Sequence, residues 1–362
     1  MSRKTMFKNL IGALACALLI PTSARAADPL QVGFVYVSPV GQAGWTYQHD
    51  QARQAVQTNL GARVQMRYVE AVPEGADAER VMREMAAGGA KLIFATSFGY
   101  LEPALRVAAD FPQVKFEHAG GFKTAPNLNT YNARFYEGRW LAGWLAGKTS
   151  TSGVAGYVAG FALPEVIQGI NAFALGMRAA NPKAEVRVAW LGTWFDPVRE
   201  REAALALING GADVLANHSG SPAVPQAAQE RGVKVIGYQS DMSRFAPDAQ
   251  LAAVTADWSG YYTRRVQAVA AGTWQPAPAW GGIKDGMVRL SAVHASLPAA
   301  VRSELAARER ALVAGRDGPF HGRLIDQSGT VRQERGALGD DAIAKMDWFV
   351  QGVVGTLPRQ KG

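Results

Sequence analysis

Met85–Phe94 reads MAAGGAKLIF, and Leu207–Ala216 reads LINGGADVLA. In each, a run with helical apolar spacing closes on a glycine pair, and a short apolar run with strand character follows at once. Ala90 and Ala212, which precede the two strand-like runs, are 122 residues apart, and so are Val32 and Val154, which open the first strand of each half. The chain therefore carries one structural unit twice.

Outward from these anchors the pattern alternates. LQVGFVYV (Leu30–Val37), RVQMRYVEAV, KLIFATS and VKFEHAG read as strands of the first half, with DQARQAVQTNLG (Asp50–Gly61), ADAERVMREMAAGGA and LEPALRVAADFP as helices between them. GVAGYVAG, AEVRVAWLGTW, DVLANHS and VKVIGYQSD repeat the strand series, separated by helices EVIQGINAFALGMRAANP, REREAALALINGGA and AVPQAAQERG. Strands alternating with helices of this length imply parallel sheets covered on both faces, hence two doubly wound α/β lobes. Beyond them, LAAVTAD is expected as a strand, YYTRRVQAVAAG as a helix, WGGIKDGMVRLS as a strand pair around a glycine turn, SLPAAVRSELAARERALVAG as a serine-capped helix, and AIAKMDWFVQGVVG as a short amphipathic helix. The expected division is 27–130 with 242–270 in the first lobe and 131–241 with 271–362 in the second.

In parallel sheets the binding crevice lies beyond the carboxyl ends of the strands. Those ends lead here to SPVGQAGWT, EAVPEG, SFGYLEP and HAGGFK in the first half, and to GFALPEV, GTWFDPV, HSGSPAV and YQSDMS in the second. Trp45 and Trp194 are the tryptophans of these loops, one from each half. Two indole faces suit a flat ligand, each stack being worth about 1–3 kcal/mol. Asp241 could accept from ring N–H or ribose hydroxyl groups and Lys284 could donate to a ring acceptor, although taken singly the first fits a cap and the second a solvated turn. Trp140 and Trp144 share one helical face and are expected in the core. His118 and His218 each end a strand, and a structural role is the expectation for both.

Length and charge narrow the class. The chain has 362 residues, 48% hydrophobic and 19% charged, more than one typical core holds. Arg3, Lys4 and Lys8 precede an apolar run from Leu10 to Ile20, and Ala24-Arg25-Ala26 follows, the pattern of a secretory leader cut after Ala26. Cleavage removes four of the positive charges from a net +8; the rest are scattered, with no basic stripe for nucleic acid. The single cysteine, Cys16, lies in the leader, so the mature chain has no thiol chemistry; lipidation at Cys16 is the less favoured alternative. No G-x-x-x-x-G-K-[ST], G-x-S-x-G or H-E-x-x-H occurs, so no enzyme signature competes with a binding role. No cofactor is expected.

Several long motifs occur in one order: IFATSFGYLEPALRVAADFPQVKF, RFYEGRWLAGWLAG, GMRAANPKAEVRVAWLGTWFDP, ALALINGGADVL, IKDGMVRLS and MDWFVQGVVG. With them the chain resembles the basic membrane protein family of ABC-importer substrate-binding proteins, related to purine nucleoside receptors, from about Val32 to Pro358. The resemblance implies a type I periplasmic-binding fold, with two α/β lobes on a three-stranded hinge that close around ligand. It implies a periplasmic, monomeric protein that hands a purine to a membrane permease. It also implies ligand contacts at Trp45, Thr46, Phe98, Gly99, Gly120, Trp194, Asp241 and Lys284. Two departures stand out. The first loop lacks the aspartates of nucleoside binders, carrying Trp45 and Thr46 for a Phe-Asn pair, and Gly120 replaces an aspartate. Fewer acids remain for ribose hydroxyls, so a free base, adenine first, is expected over a nucleoside. The alternatives are a sensing module for a signalling partner, or a cleft for a sugar or another flat heterocycle.

Overall fold

The computed structural model describes residues 28–358. The expected leader and Cys16 lie outside the described residues.

The first lobe runs β1 (Leu30–Val35), α1 (Gly44–Leu60), β2 (Val64–Val69), α2 (Ala76–Ala87), β3 (Leu92–Ala95), α3 (Leu101–Asp110), β4 (Lys115–Ala119) and β5 (Leu128–Ala133). After α4 (Phe135–Thr149) the second repeats it with β6 (Val154–Ala159), α5 (Pro164–Ala180), β7 (Glu185–Trp190), α6 (Pro197–Asn209), β8 (Val214–His218), α7 (Ala223–Arg231), β9 (Lys234–Gln239) and β10 (Gln250–Ala256). Then follow α8 (Ser259–Ala270), β11 (Ala279–Gly281), β12 (Val288–Ser291) and α9 (Ala299–Val313). A tail holds β13 (Leu324–Ile325), β14 (Val331–Gln333), α10 (Asp340–Ala344) and β15 (Val353–Val354).

The two main sheets have matching orders, β11-β5-β4-β3-β1-β2 and β12-β10-β9-β8-β6-β7-β15. Every pairing in the first is parallel; in the second only β10 with β12 is antiparallel. Leu92 and Val214, which open β3 and β8, keep the 122-residue spacing read from the sequence. β3 and β8 are buried at every position, as strands covered by helices on both faces must be.

The chain crosses between the sheets three times, at β5 to α4, β10 to α8 and β11 to β12. Here the expected division needs correcting. β10 pairs with β9 in the second sheet, although residues 242–270 were expected in the first lobe. Tyr131–Ala133 complete β5 in the first sheet, and β11 pairs with them. WGGIKDGMVRLS is not a hairpin either, because its two strands lie in different sheets. β10 and β5 each extend the sheet of the strand before them, β9 and β4, before the chain crosses over, whereas β11 and β12 return to edges laid down earlier.

Packing locks each crossing. α8 docks on α1 through His49, which is fully buried, stacks on Trp258 at 5.1 Å and bonds through Nδ1 to the Tyr262 hydroxyl. Burial holds the His49 imidazole neutral, its pKa lowered to about 3. Glu117, with no exposed surface, accepts from Asn129 Nδ2 at 2.9 Å, Tyr261 at 2.6 Å, Trp274 Nε1 at 2.7 Å and Arg265. A buried carboxylate is tolerated only with such a full set of donors. α4 is buried around nearly its whole circumference between α5, β10, β12 and α9, so Trp140 and Trp144 are core residues as expected. In the tail, helix forms only over Asp340–Ala344, and β15 adds to the edge of β7 where a longer helix was expected.

Candidate functional site

Because both sheets are essentially parallel, their carboxyl ends gather on the faces that meet between the lobes. Trp45 enters this region from α1, which begins at Gly44, six residues before the helix expected from Asp50. Trp45 is therefore a first-turn helical residue. Its indole N–H donates to the Thr96 carbonyl at 2.6 Å, and its ring meets His49, Trp258 and Phe135 edge-on at 4.3, 6.0 and 6.4 Å. The ring is half-buried and fixed in direction by those partners.

Trp194 sits in the turn after β7, also half-buried, edge-on to Phe161 at 4.8 Å and 6.2 Å from His218. Its loop is anchored on both sides. Asp196 caps α6 by accepting from the backbone N–H of Val198 and Arg199, and Gly220 N–H donates to the Trp194 carbonyl at 2.9 Å. Buried Glu200 holds the neighbouring turn by accepting from Ser219 Oγ at 2.8 Å and Ser221 Oγ at 2.7 Å.

The two indole-bearing segments meet. Gly44 N–H donates to Ser240 Oγ of the second lobe at 2.8 Å. A β-carbon at Gly44 would overlap the carbonyl oxygen of Gly220, the residue bonded to Trp194. Gln42 bonds Arg244 nearby, and Gln48 Nε2 reaches the Ala256 carbonyl at 2.5 Å. The lobes are thus in backbone contact at the mouth of the crevice, beside both tryptophans.

A second contact between the lobes comes from a residue the sequence reading did not single out. Glu165, in the first turn of α5, extends from the second lobe to the first and accepts from Asn132 Nδ2 at 2.7 Å at the end of β5. Its other oxygen is 3.7 Å from His218 Nε2. A β-carbon at Gly120 would lie 3.8 Å from the same carboxylate and 3.9 Å from the Phe98 ring. Burial pushes the Glu165 pKa up to about 7, opposed by the Asn132 bond and by the charge of Arg139. His218 is held neutral, its pKa well below the usual value through burial and Arg139. Arg139 itself is fully buried, 3.6 Å over the Tyr238 ring, and donates to the Asn217 carbonyl at 2.5 Å. Gln239 ends β9 with φ of +64°, buried, and neither side-chain amide atom has a partner among the described residues. A non-glycine residue held there marks a constrained site.

The other expected contacts divide. Gly120 and Phe98 stand beside Glu165 in the crevice. Thr46 is buried with its hydroxyl 2.7 Å from Ser38 Oγ, so it ties the loop. Gly99 lies against Glu74, which accepts its N–H at 3.0 Å. Asp241 is exposed and serves as a turn residue, accepting from Ser243 N–H at 2.9 Å and Gln250 Nε2 at 2.8 Å. Partial burial would raise its pKa, but those bonds hold it below the usual range. Lys284 is exposed on the β11–β12 turn with no hydrogen-bond or ion-pair partner among the described residues. His118 is fully buried and held neutral, whereas His218 belongs to the crevice.

Two lobes with matched sheets and three crossings define a two-lobed solute-binding protein of the type I periplasmic fold. Residues 30–313 match the family described as ABC transporter substrate-binding protein PnrA-like, and the chain belongs to it. A purine-binding protein of Brucella abortus is 44% identical over 351 residues, covering 97% of this chain and 100% of its own. A putative ABC transporter glucose-binding protein of Haloferax volcanii is 37% identical over 331 residues, covering 91% and 82%. A solved ABC-transporter solute-binding protein of Conexibacter woesei superposes with a TM-score of 0.65 at 23% identity, covering 80% of this chain and 97% of that one, a likeness of fold. The family consists of non-enzymatic binding proteins that act in the periplasm or outside the cell. Among the described residues no helix is long and apolar enough to cross a membrane.

Proposed function

We propose that the chain captures a purine base, adenine in preference to a nucleoside, between its lobes and delivers it to a membrane permease. The observation that carries this reading is the meeting of the Trp45 and Trp194 segments at the mouth of one crevice, through Gly44 and Gly220. Two indoles from opposite lobes can hold a flat ring, and a ring that bridges both lobes favours the closed form. The name of the Brucella abortus relative supports the purine class. The preference for a base rests on Gly120, which brings no acid from the first lobe, and on Asp241, whose carboxylate is engaged in its own turn. The name of the Haloferax volcanii relative makes a sugar the second reading.

The test is mass spectrometry of the small molecules released from the purified protein, followed by calorimetry with adenine, adenosine and glucose. Tightest binding of adenine is expected. Tighter binding of adenosine removes the base preference, and binding of glucose alone removes the purine reading.

A further inference from the structure

The acids around the crevice are almost all committed to holding loops. Glu74 accepts from Ser97 Oγ at 2.6 Å and Gly99 N–H at 3.0 Å. Glu200 accepts from two serines, Asp196 caps a helix, and Asp241 closes a turn. Glu70 takes the Val40 N–H at 2.6 Å. Glu165 differs. Its Oε2, the oxygen beside position 120, is bonded to Asn132 across the lobes, while Oε1 has among the described residues only His218, at 3.7 Å, beyond hydrogen-bonding distance. Its side chain keeps 22% of its surface exposed.

Position 120 explains where that carboxylate points. Gly120 has φ of +74°, a conformation that disfavours a side chain, and the space a side chain would enter is bounded by Glu165 and Phe98. The first lobe thus presents bare backbone just after β4, and the second lobe places an acid beside it.

Resting on the purine reading above, we propose that Glu165 is the specificity-determining acid of this site: its carboxylate, carried on α5 of the second lobe, accepts a ring or amino N–H of the bound base beside Gly120. One residue then reads the ligand edge and, through Asn132, ties the lobes together. An acid on the second lobe can engage a base held by the first only when the lobes are close, so edge recognition and closure are coupled. The start of α5 favours the ionised form, as a helix N-terminus favours negative charge. Arg139 favours it too, and burial opposes it. The other groups near Glu165 are neutral: His218, the buried phenols Tyr157 and Tyr238, whose pKa values are raised by burial, and Asn132, with Phe98 beyond Gly120.

The experiment is a calorimetric comparison of the full chain with its E165Q and E165A variants. The ligands are adenine, 7-methyladenine, 9-methyladenine and N6,N6-dimethyladenine, and thermal melts verify folding. The expected result is at least a tenfold loss for adenine in both variants, and no further loss for the analogue whose methyl group has already removed the donor. An equal loss across all four ligands, or none, overturns the proposal and leaves the purine reading intact. Failure of the wild-type chain to bind any of the four overturns both.

Discussion

Replacing Gly44 with alanine separates two energies that one residue controls. Gly44 has φ of +91°, so a side chain strains the backbone in every conformation of the protein, at a cost of about 1–3 kcal/mol. A second penalty arises only when the lobes meet. The new β-carbon overlaps the Gly220 carbonyl, and the overlap displaces the 2.8 Å bond from Gly44 N–H to Ser240 Oγ. Overpacking a close contact costs about 1–3 kcal/mol, and a lost hydrogen bond about 0.5–1.5 kcal/mol. The closed form should lose about 2–4 kcal/mol relative to the open one, which weakens adenine binding by about 30- to 1,000-fold. Gly41→Ala supplies the control. Its φ of +58° imposes comparable strain, but a β-carbon there meets only the Pro39 carbonyl at 3.9 Å. Calorimetry should show normal affinity for Gly41→Ala and a large loss for Gly44→Ala, with both melting lower than wild type. Small-angle scattering should show compaction with adenine in the first and none in the second. Wild-type affinity in Gly44→Ala would refute the claim that the lobes close through this contact.

Three further outcomes follow from the same geometry. Glu117→Gln leaves the Arg265 charge without its buried partner, and denaturant unfolding should show a loss of about 3–5 kcal/mol, with adenine affinity little changed in the folded fraction. Burial raises the Glu165 pKa to about 7 in the unliganded protein, so its contribution to folding stability is present at acid pH and lost as pH rises through about 7. If base binding needs the carboxylate, affinity must fall as pH drops below that value, approaching about tenfold per pH unit, with a proton released on binding; solvent reaching the side chain will soften the slope. Calorimetry from pH 5.5 to 8 in buffers of differing ionisation enthalpy checks this, and affinity that rises toward acid pH would contradict it. Gln239→Gly relieves a left-handed residue at φ of +64° and should raise stability by up to about 1–2 kcal/mol, as read from thermal melts.

The repeat was legible because each lobe must bury the same parallel sheet. The glycine-closed helices before Leu92 and Val214 mark that requirement directly. The placement of Trp45 and Trp194 just beyond the carboxyl ends of β1 and β7 was legible for the related reason that parallel strands end together. The helix carrying Trp45 was read as starting too late, because Gly44 and the polar Tyr47–Gln48 pair interrupt the apolar spacing that tertiary contacts restore. β11 was placed in the wrong lobe because it pairs with β5 across a sequence gap that no local pattern records, and β10 because it continues the second sheet beyond β9 before the chain crosses back. Glu165 was missed although its loop was recognised. An acid one residue after a proline reads as an ordinary helix start, and only the fold brings it to Asn132 and Gly120. The one sequence signal that could have found it was the glycine at 120, since an acid missing from one lobe invites a search for one opposite. Asp241 and Lys284 show the converse. Their side chains match a family pattern, yet here one is engaged in its turn and the other is exposed on the hinge.

The most direct test of the central claim is calorimetric titration of adenine into Trp45→Ala and Trp194→Ala, each verified as folded. If the two indoles clamp the base, each variant loses about 1–3 kcal/mol of binding free energy, roughly 5- to 150-fold in affinity. Wild-type affinity in both variants would contradict the account.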